Sequence, residues 1–230
     1  MKVSLKAPHL VLAIVVSTAF ATHAQIARWT FETSQPLANQ GAGAWYTNIA
    51  PEIGSGSAAG FHTGPSIYTT PAGNGSPHSF SSTNWAVGDF YQFAASTVGY
   101  ANIMVTYDQV SSSTGPGKFD FAYSTDGNIF TTIASSYTVL ANSSPNAWSS
   151  GTAITTTSYT YDLSAITALN NASTVWFRII DSSTISANGG TVATGGTDRV
   201  DNFSIAVVPE PSTAVLLGFG TLLLLRRFRR

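Results

Sequence analysis

Tyr123-Ser124-Thr125-Asp126-Gly127-Asn128-Ile129-Phe130 is the stretch from which the fold reads most directly. Asp-Gly stands between two alternating runs, and glycine accepts the positive φ that a tight hairpin turn needs. The stretch predicts two antiparallel strands, Phe119–Ser124 and Ile129–Ala134, joined by a structural turn. Similar runs lie on both sides of it. Ile26-Ala27-Arg28-Trp29-Thr30-Phe31 alternates, with Ile26, Arg28 and Thr30 on one face and Trp29 and Phe31 on the other. Further runs are expected as strands at Asp89–Phe93, Ile103–Val110, Thr155–Tyr161, Val175–Ile180 and Val200–Val207. Gly, Ser and Pro dominate from Gly54 to Ser79, which reads as a long irregular loop. Many short strands rich in aromatic and β-branched residues, with Gly/Ser/Asn turns between them, predict an all-β fold, an antiparallel β-sandwich.

The two ends follow different rules. Lys2 and Lys6 precede an apolar run from Leu10 to Phe20, and Ala21-Thr22-His23-Ala24 supplies small residues at the end of it. This is the layout of an export signal, a helix handed to the Sec translocon and cut by signal peptidase, here between Ala24 and Gln25. An uncleaved anchor is the other reading, but the run is shorter than the roughly 20 residues that a span requires. At the other end, Val208-Pro209-Glu210-Pro211 leads into an apolar stretch, Ala214 to Leu225, and then Arg226-Arg227-Phe228-Arg229-Arg230. The four arginines would stay on the cytoplasmic side of the inner membrane, with the folded part of the chain outside. A short C-terminal hydrophobic helix of this kind is a marginal span, suited to a transient stop. The expected organisation is therefore a signal peptide at 1–24, a sandwich ectodomain at 25–207 and a tail at 208–230.

The tail resembles the PEP-CTERM sorting signal of Gram-negative bacteria, on three parts in fixed order: Val208-Pro209-Glu210-Pro211, an apolar helix and a basic terminus. That resemblance implies recognition by an exosortase-type membrane protease, removal of the tail, and passage from an inner-membrane intermediate to the cell surface or extracellular matrix. Proline at 209 and 211 keeps the backbone extended there, as a protease site requires. Tails of this kind are also labelled an ice-binding protein C-terminal domain, a label that describes the tail alone. An ordinary anchor on a proline-rich stalk is the alternative.

Composition narrows the ectodomain's chemistry. It carries four basic side chains, Arg28, Lys118, Arg178 and Arg199, against ten acidic ones, a balance of −6. An acidic domain without a basic stripe is a poor partner for nucleic acid, whose phosphates need Lys and Arg. Cysteine is absent, which removes disulfides, thiolate nucleophiles and zinc–cysteine clusters. His62 and His78 are the histidines left after processing, and both fall in the expected loop, where exposure needs no explanation. No Gly-x-Ser-x-Gly elbow, Walker loop or dinucleotide fingerprint occurs. An enzyme is disfavoured. A hydrolase would need a cleft holding two aspartates, one with a raised pKa.

The order Tyr161-Asp162-Leu163, Val175-Trp176-Phe177-Arg178-Ile179-Ile180, Arg199-Val200-Asp201-Asn202-Phe203 resembles the C-terminal half of jelly-roll sandwiches among bacterial surface proteins and carbohydrate-binding modules. The resemblance implies that the Asp-Asn-Phe strand closes against the first strand. It also implies a structural Ca²⁺ at that junction, for which Glu32 and Asp201, with Asp198 and Asn202 nearby, offer hard oxygen ligands. Plain strand-end polar groups are the other reading. Trp45, Tyr46, Trp85, Tyr91, Tyr100 and Trp148 are available for a sugar-stacking platform or for the core. Trp45 and Trp148, in Gly/Ser/Asn surroundings, are the two expected to be exposed. Three functions remain open: a non-catalytic surface or matrix protein with exopolysaccharide as a candidate partner, a carbohydrate-binding module with structural calcium, and a secreted hydrolase.

Overall fold

The computed structural model describes residues 24–208; the expected signal segment before Ala24 and the expected sorting tail from Pro209 onward lie outside the described residues. In chain order the strands are β1 (Gln25–Trp29), β2 (Ala38–Gln40), β3 (Trp45–Ile49), β4 (Ile53–Gly54), β5 (Gly56–Phe61), β6 (Ser66–Thr69) and β7 (Phe80–Thr83). They continue with β8 (Phe90–Ala95), β9 (Ile103–Ser111), β10 (Lys118–Ser124), β11 (Thr131–Thr138), β12 (Ser158–Asp162), β13 (Val175–Asp181) and β14 (Thr197–Val207). Two single 3₁₀ turns, Thr155–Thr157 and Thr167–Leu169, are the helical elements among the described residues.

The strands form two antiparallel sheets. The first runs β12-β9-β14-β7-β6-β2, with β1 on β14 and β4 on β1; the second runs β11-β10-β13-β8-β5-β3. Strand β14 holds the first sheet together. Its start pairs with β7, through Thr197↔Thr83 to Val200↔Phe80, and its end pairs with β1, through Trp29↔Phe203 to Gln25↔Ala206. The other edge of β14 lies along β9, broken by an irregularity between Asp201 and Ser204 where Asn202 takes φ 52°. Asparagine tolerates that left-handed conformation better than most residues. The last strand does close against the first, as the Asp-Asn-Phe order implied.

Alternation sorts each strand between core and outer face. In β13, Val175, Phe177, Ile179 and Asp181 are buried while Trp176, Arg178 and Ile180 are only partly covered. Between the sheets the rings of Phe93 and Phe203 stack at 3.6 Å, and Trp29 packs edge-on against both. The Trp29 indole N–H is satisfied by the Ile49 carbonyl at 3.0 Å. Each such ring contributes about 1.5–3 kcal/mol by leaving water, which is how a domain with few charges and no disulfide stands.

The expected loop from Gly54 to Ser79 instead contains two strands, β5 and β6, and only the rest of it is irregular. Two of the glycines there serve close approach, while Gly54 and Gly75 take positive φ. A Cβ on Gly60 would fall 2.6 Å from the Tyr68 ring, and one on Gly56 would fall 2.3 Å from the Ala94 carbonyl oxygen. Small residues let β5 lie flat under its neighbours. The hairpin forms where expected, but its second strand starts two residues late, at Thr131, and Ile129 is left 75% exposed at the turn.

Candidate functional site

The outer face of the second sheet gathers an aromatic row around one cation. Register places Trp45 beside Phe61, Phe61 beside Phe90, and Phe90 beside Ile180, so that residues from β3, β5, β8 and β13 line up across the sheet. The rings touch: Trp45 lies 5.4 Å from Phe61 and 5.2 Å from Phe90, and Phe61 stacks on Phe90 at 5.4 Å. Trp45 remains 42% exposed.

Arg178 rises from β13 next to this row. Its guanidinium carbon sits 3.9 Å from the Phe90 ring centre, 3.8 Å from that of Phe130 and 5.8 Å from that of Trp45. Cation–π attraction and stacking hold it between Phe90 and Phe130. Its Nε donates to Gln92 Oε1 at 2.9 Å, across the β13–β8 pair. Burial pulls the guanidinium pKa down to about 10, so it stays charged at neutral pH. Among the described residues Arg178 makes no salt bridge with a carboxylate. Among the described residues its Nη nitrogens meet no acceptor, and they are not among the fully buried unpartnered atoms.

The Asp-Gly hairpin positions Phe130. Asp126 Oδ1 accepts the backbone N–H groups of Asn128 and Ile129, at 2.8 and 2.9 Å, and the Ser124 hydroxyl at 2.8 Å. Those bonds, the Ile129 amide foremost, hold the carboxyl below its ordinary pKa. Gly127 sits at φ 76° with the Trp176 ring 3.3 Å from where a Cβ would be. The turn thus rests on Trp176 and carries Phe130 over Arg178.

The remaining expected site residues are distributed differently. Trp148, expected to be exposed, is 7% exposed, and its indole N–H donates to Thr157 Oγ1 at 3.0 Å. It belongs to the interior, as do Trp85 and Tyr91, while Tyr46 stacks on Tyr68 and Tyr100 stays on the surface. The residues proposed for calcium do not form one set. Asp198 faces the core, accepting from Gln109 at 3.1 Å and Ser111 at 2.9 Å, whereas Asp201 lies three residues on, on the opposite face of β14. Glu32 accepts the His78 backbone N–H and ring Nδ1 at 3.0 and 2.9 Å. Asp201 accepts Asn74 N–H and the Ser76 hydroxyl, both at 2.8 Å, and Asn202 N–H at 2.7 Å. Asn202 turns its side-chain oxygen to Arg28 and its amide to Asp108. These carboxylates meet hydrogen-bond donors, where Ca²⁺ needs converging oxygens. Among the described residues no group of three or more His, Asp or Glu side chains could hold a metal ion.

His62 is not on an exposed loop. It is fully buried directly after β5, with Nδ1 3.0 Å from Asp89 Oδ2 and Nε2 2.9 Å from Ser82 Oγ. Ser82 continues to the Tyr91 hydroxyl, which donates to the Asp198 carbonyl at 2.9 Å. Burial raises the Asp89 pKa, but hydrogen bonds from His62, Thr63 and Ala86 outweigh it and leave the carboxyl below its ordinary value. The order Ser–His–Asp is that of a hydrolytic triad, yet all three side chains are sealed in the core, where no substrate reaches the hydroxyl. Asp201 and Asp108 face each other across β14 and β9, and burial pushes Asp201 up to about 7. Both are covered, Asp201 under the Asn74–Ser76 loop and Asp108 by Ser158. An open cleft of two aspartates is not what they make.

The fold is a two-sheet antiparallel β-sandwich. Among solved structures, the K1 adhesin domain of Lys-gingipain from Porphyromonas gingivalis W83 is 13% identical, with 79% of this chain and 97% of that one covered and a TM-score of 0.42. The K2 adhesin domain of Lys-gingipain is 15% identical over 79% and 97%, with a TM-score of 0.41. A carbohydrate-binding module of the β-sandwich superfamily is 12% identical over 79% and 62%, with a TM-score of 0.36. These are likenesses of fold. No family model matches the chain, and no curated protein matches it.

Proposed function

We propose that the protein is a non-catalytic, exported component of the cell surface or extracellular matrix that holds carbohydrate on the outer face of its second sheet. The observation that carries the reading is the exposed Trp45 ring, tilted against Phe61 and edge-on to Phe90 beside Arg178. A rigid, half-exposed indole is suited to stacking on the flat apolar face of a sugar ring. The closure of β14 on β1 supports a jelly-roll-like arrangement of the strands. Export rests on the Lys-flanked apolar start, and sorting rests on Val208-Pro209-Glu210-Pro211 with the Arg226–Arg230 cluster. In this reading an exosortase-type protease removes the tail at the inner membrane and releases the domain outward. A glycan array probed with the wild type and Trp45→Ala tests the binding: the account expects hits that the variant loses. Hits unchanged in the variant would remove Trp45 from the site. Mass spectrometry of the protein recovered from cells tests the sorting, and an intact Arg226–Arg230 terminus would refute it.

A further inference from the structure

We propose that the carbohydrate held on this face is acidic, a uronate-bearing saccharide whose carboxylate is taken by Arg178. The inference rests on the carbohydrate reading above and specifies its ligand class. The Phe90 and Phe130 rings, 3.9 and 3.8 Å from the guanidinium carbon, flank the plane of the group. Gln92 occupies the Nε position. What is left is the in-plane Nη edge, which meets no acceptor among the described residues and is not fully buried. A flanked guanidinium with that edge free is pre-organised for a planar, two-oxygen anion in bidentate contact. A partly covered arginine that meets no carboxylate among the described residues is a cost to the fold unless an anion from outside meets it.

The surroundings select the kind of anion. Trp45 lies 5.8 Å from the guanidinium, a separation that one sugar unit bridges when its ring stacks on the indole and its exocyclic carboxylate points to Arg178. An acidic peptide side chain would use the cation and leave the indole idle. A dense polyanion is disfavoured by the domain's balance of −6. One carboxylate per sugar, carried beside an apolar ring face, fits both features. The hairpin belongs to the same device, because Asp126 sets the turn that brings Phe130 over the cation.

The test is calorimetric titration of the purified full chain with short oligomers of galacturonate, glucuronate and mannuronate, each beside its carboxyl-reduced neutral counterpart. An acidic poly-glutamate peptide is run in parallel. The expected result is that at least one uronate oligomer binds roughly tenfold or more tighter than its neutral counterpart, the range of a charge-assisted bidentate contact. Arg178→Gln should abolish that ratio, and Arg178→Lys should keep only part of it. Circular dichroism melts of both variants establish that they fold; should Gln not fold, Lys carries the comparison. Equal binding of acid and neutral forms, unchanged in a folded Arg178 variant, would overturn the acidic-ligand inference and leave the carbohydrate reading standing. Binding of poly-glutamate without any oligosaccharide, or no binding at all, would overturn both.

Discussion

Asp181 offers a pH test of how the sandwich is assembled. It ends β13 with its side chain turned inward, 1% exposed. Ser183 N–H donates to Oδ1 at 3.2 Å, but Oδ2 has no partner. Burial is the main cause that lifts its pKa from 3.8 to about 7; the Ser183 bond opposes the rise and the Asp89 charge adds to it. Between those two values the folded chain binds a proton that the unfolded chain has released. Stability therefore falls as pH rises through the window, with the penalty absent below 3.8 and complete above 7. A shift of about three units at about 1.4 kcal/mol each gives a penalty of about 4 kcal/mol at pH 8. Asp181→Asn removes the charge and keeps the acceptor for Ser183, at a pH-independent cost of about 1–3 kcal/mol for the unpaired amide. The measurement is urea unfolding of both proteins from pH 4 to pH 8. The variant-minus-wild-type difference should climb by up to about 4 kcal/mol across that range, with most of the climb between pH 4 and pH 7. A flat difference would show that Asp181 is not a buried, proton-holding carboxyl, and the packing described around the end of β13 would be wrong.

Three further substitutions separate structure from function. Trp148→Ala should cost about 3–5 kcal/mol in urea unfolding, because the ring is buried and its N–H is used by Thr157, while leaving glycan binding of the folded protein unchanged. His62→Ala should cost about 1–3 kcal/mol or more, since it removes the buried hydrogen bonds to Asp89 and Ser82; a variant as stable as wild type would refute those buried contacts. Gly73→Ala should lower the melting temperature, because a Cβ there falls 2.2 Å from both Asp201 Oδ2 and the His78 carbonyl; Gly41→Ala, with open space around it, should leave the melt in place.

The elements that were legible in the sequence are those whose signal is local. Asp126-Gly127 forces its own turn, and the alternation of Val175 to Ile180 sorts itself whatever lies on either side. Residues 54–79 misled because glycine and serine signal turns by composition, while here they admit the Tyr68 ring and the Ala94 carbonyl. His62 and Trp148 sat in polar, small-residue stretches that suggested the surface; their burial is decided by Asp89, Ser82 and Thr157, each distant enough in sequence to leave no local trace. Trp45 was recognisable as a candidate because its neighbours are small and polar. Arg178 was not, although its place between Trp176 and Ile180 on the outward side of β13 was readable from alternation. Its meaning depends on Phe90, Phe130 and Gln92, which only the register of β8 against β13 and the hairpin bring to it.

Five indole N–H groups make the surface claim directly observable, because the chain has five tryptophans. Trp29, Trp85 and Trp148 donate to the Ile49 carbonyl, the Ser82 carbonyl and Thr157 Oγ1 inside the domain, whereas Trp45 and Trp176 lie on the outer face of the second sheet. In ¹⁵N-labelled protein titrated with a binding oligosaccharide, the account predicts movement of the Trp45 and Trp176 indole resonances and stillness of the other three. Movement confined to the buried three, or saturation with Trp45 unmoved, would contradict it.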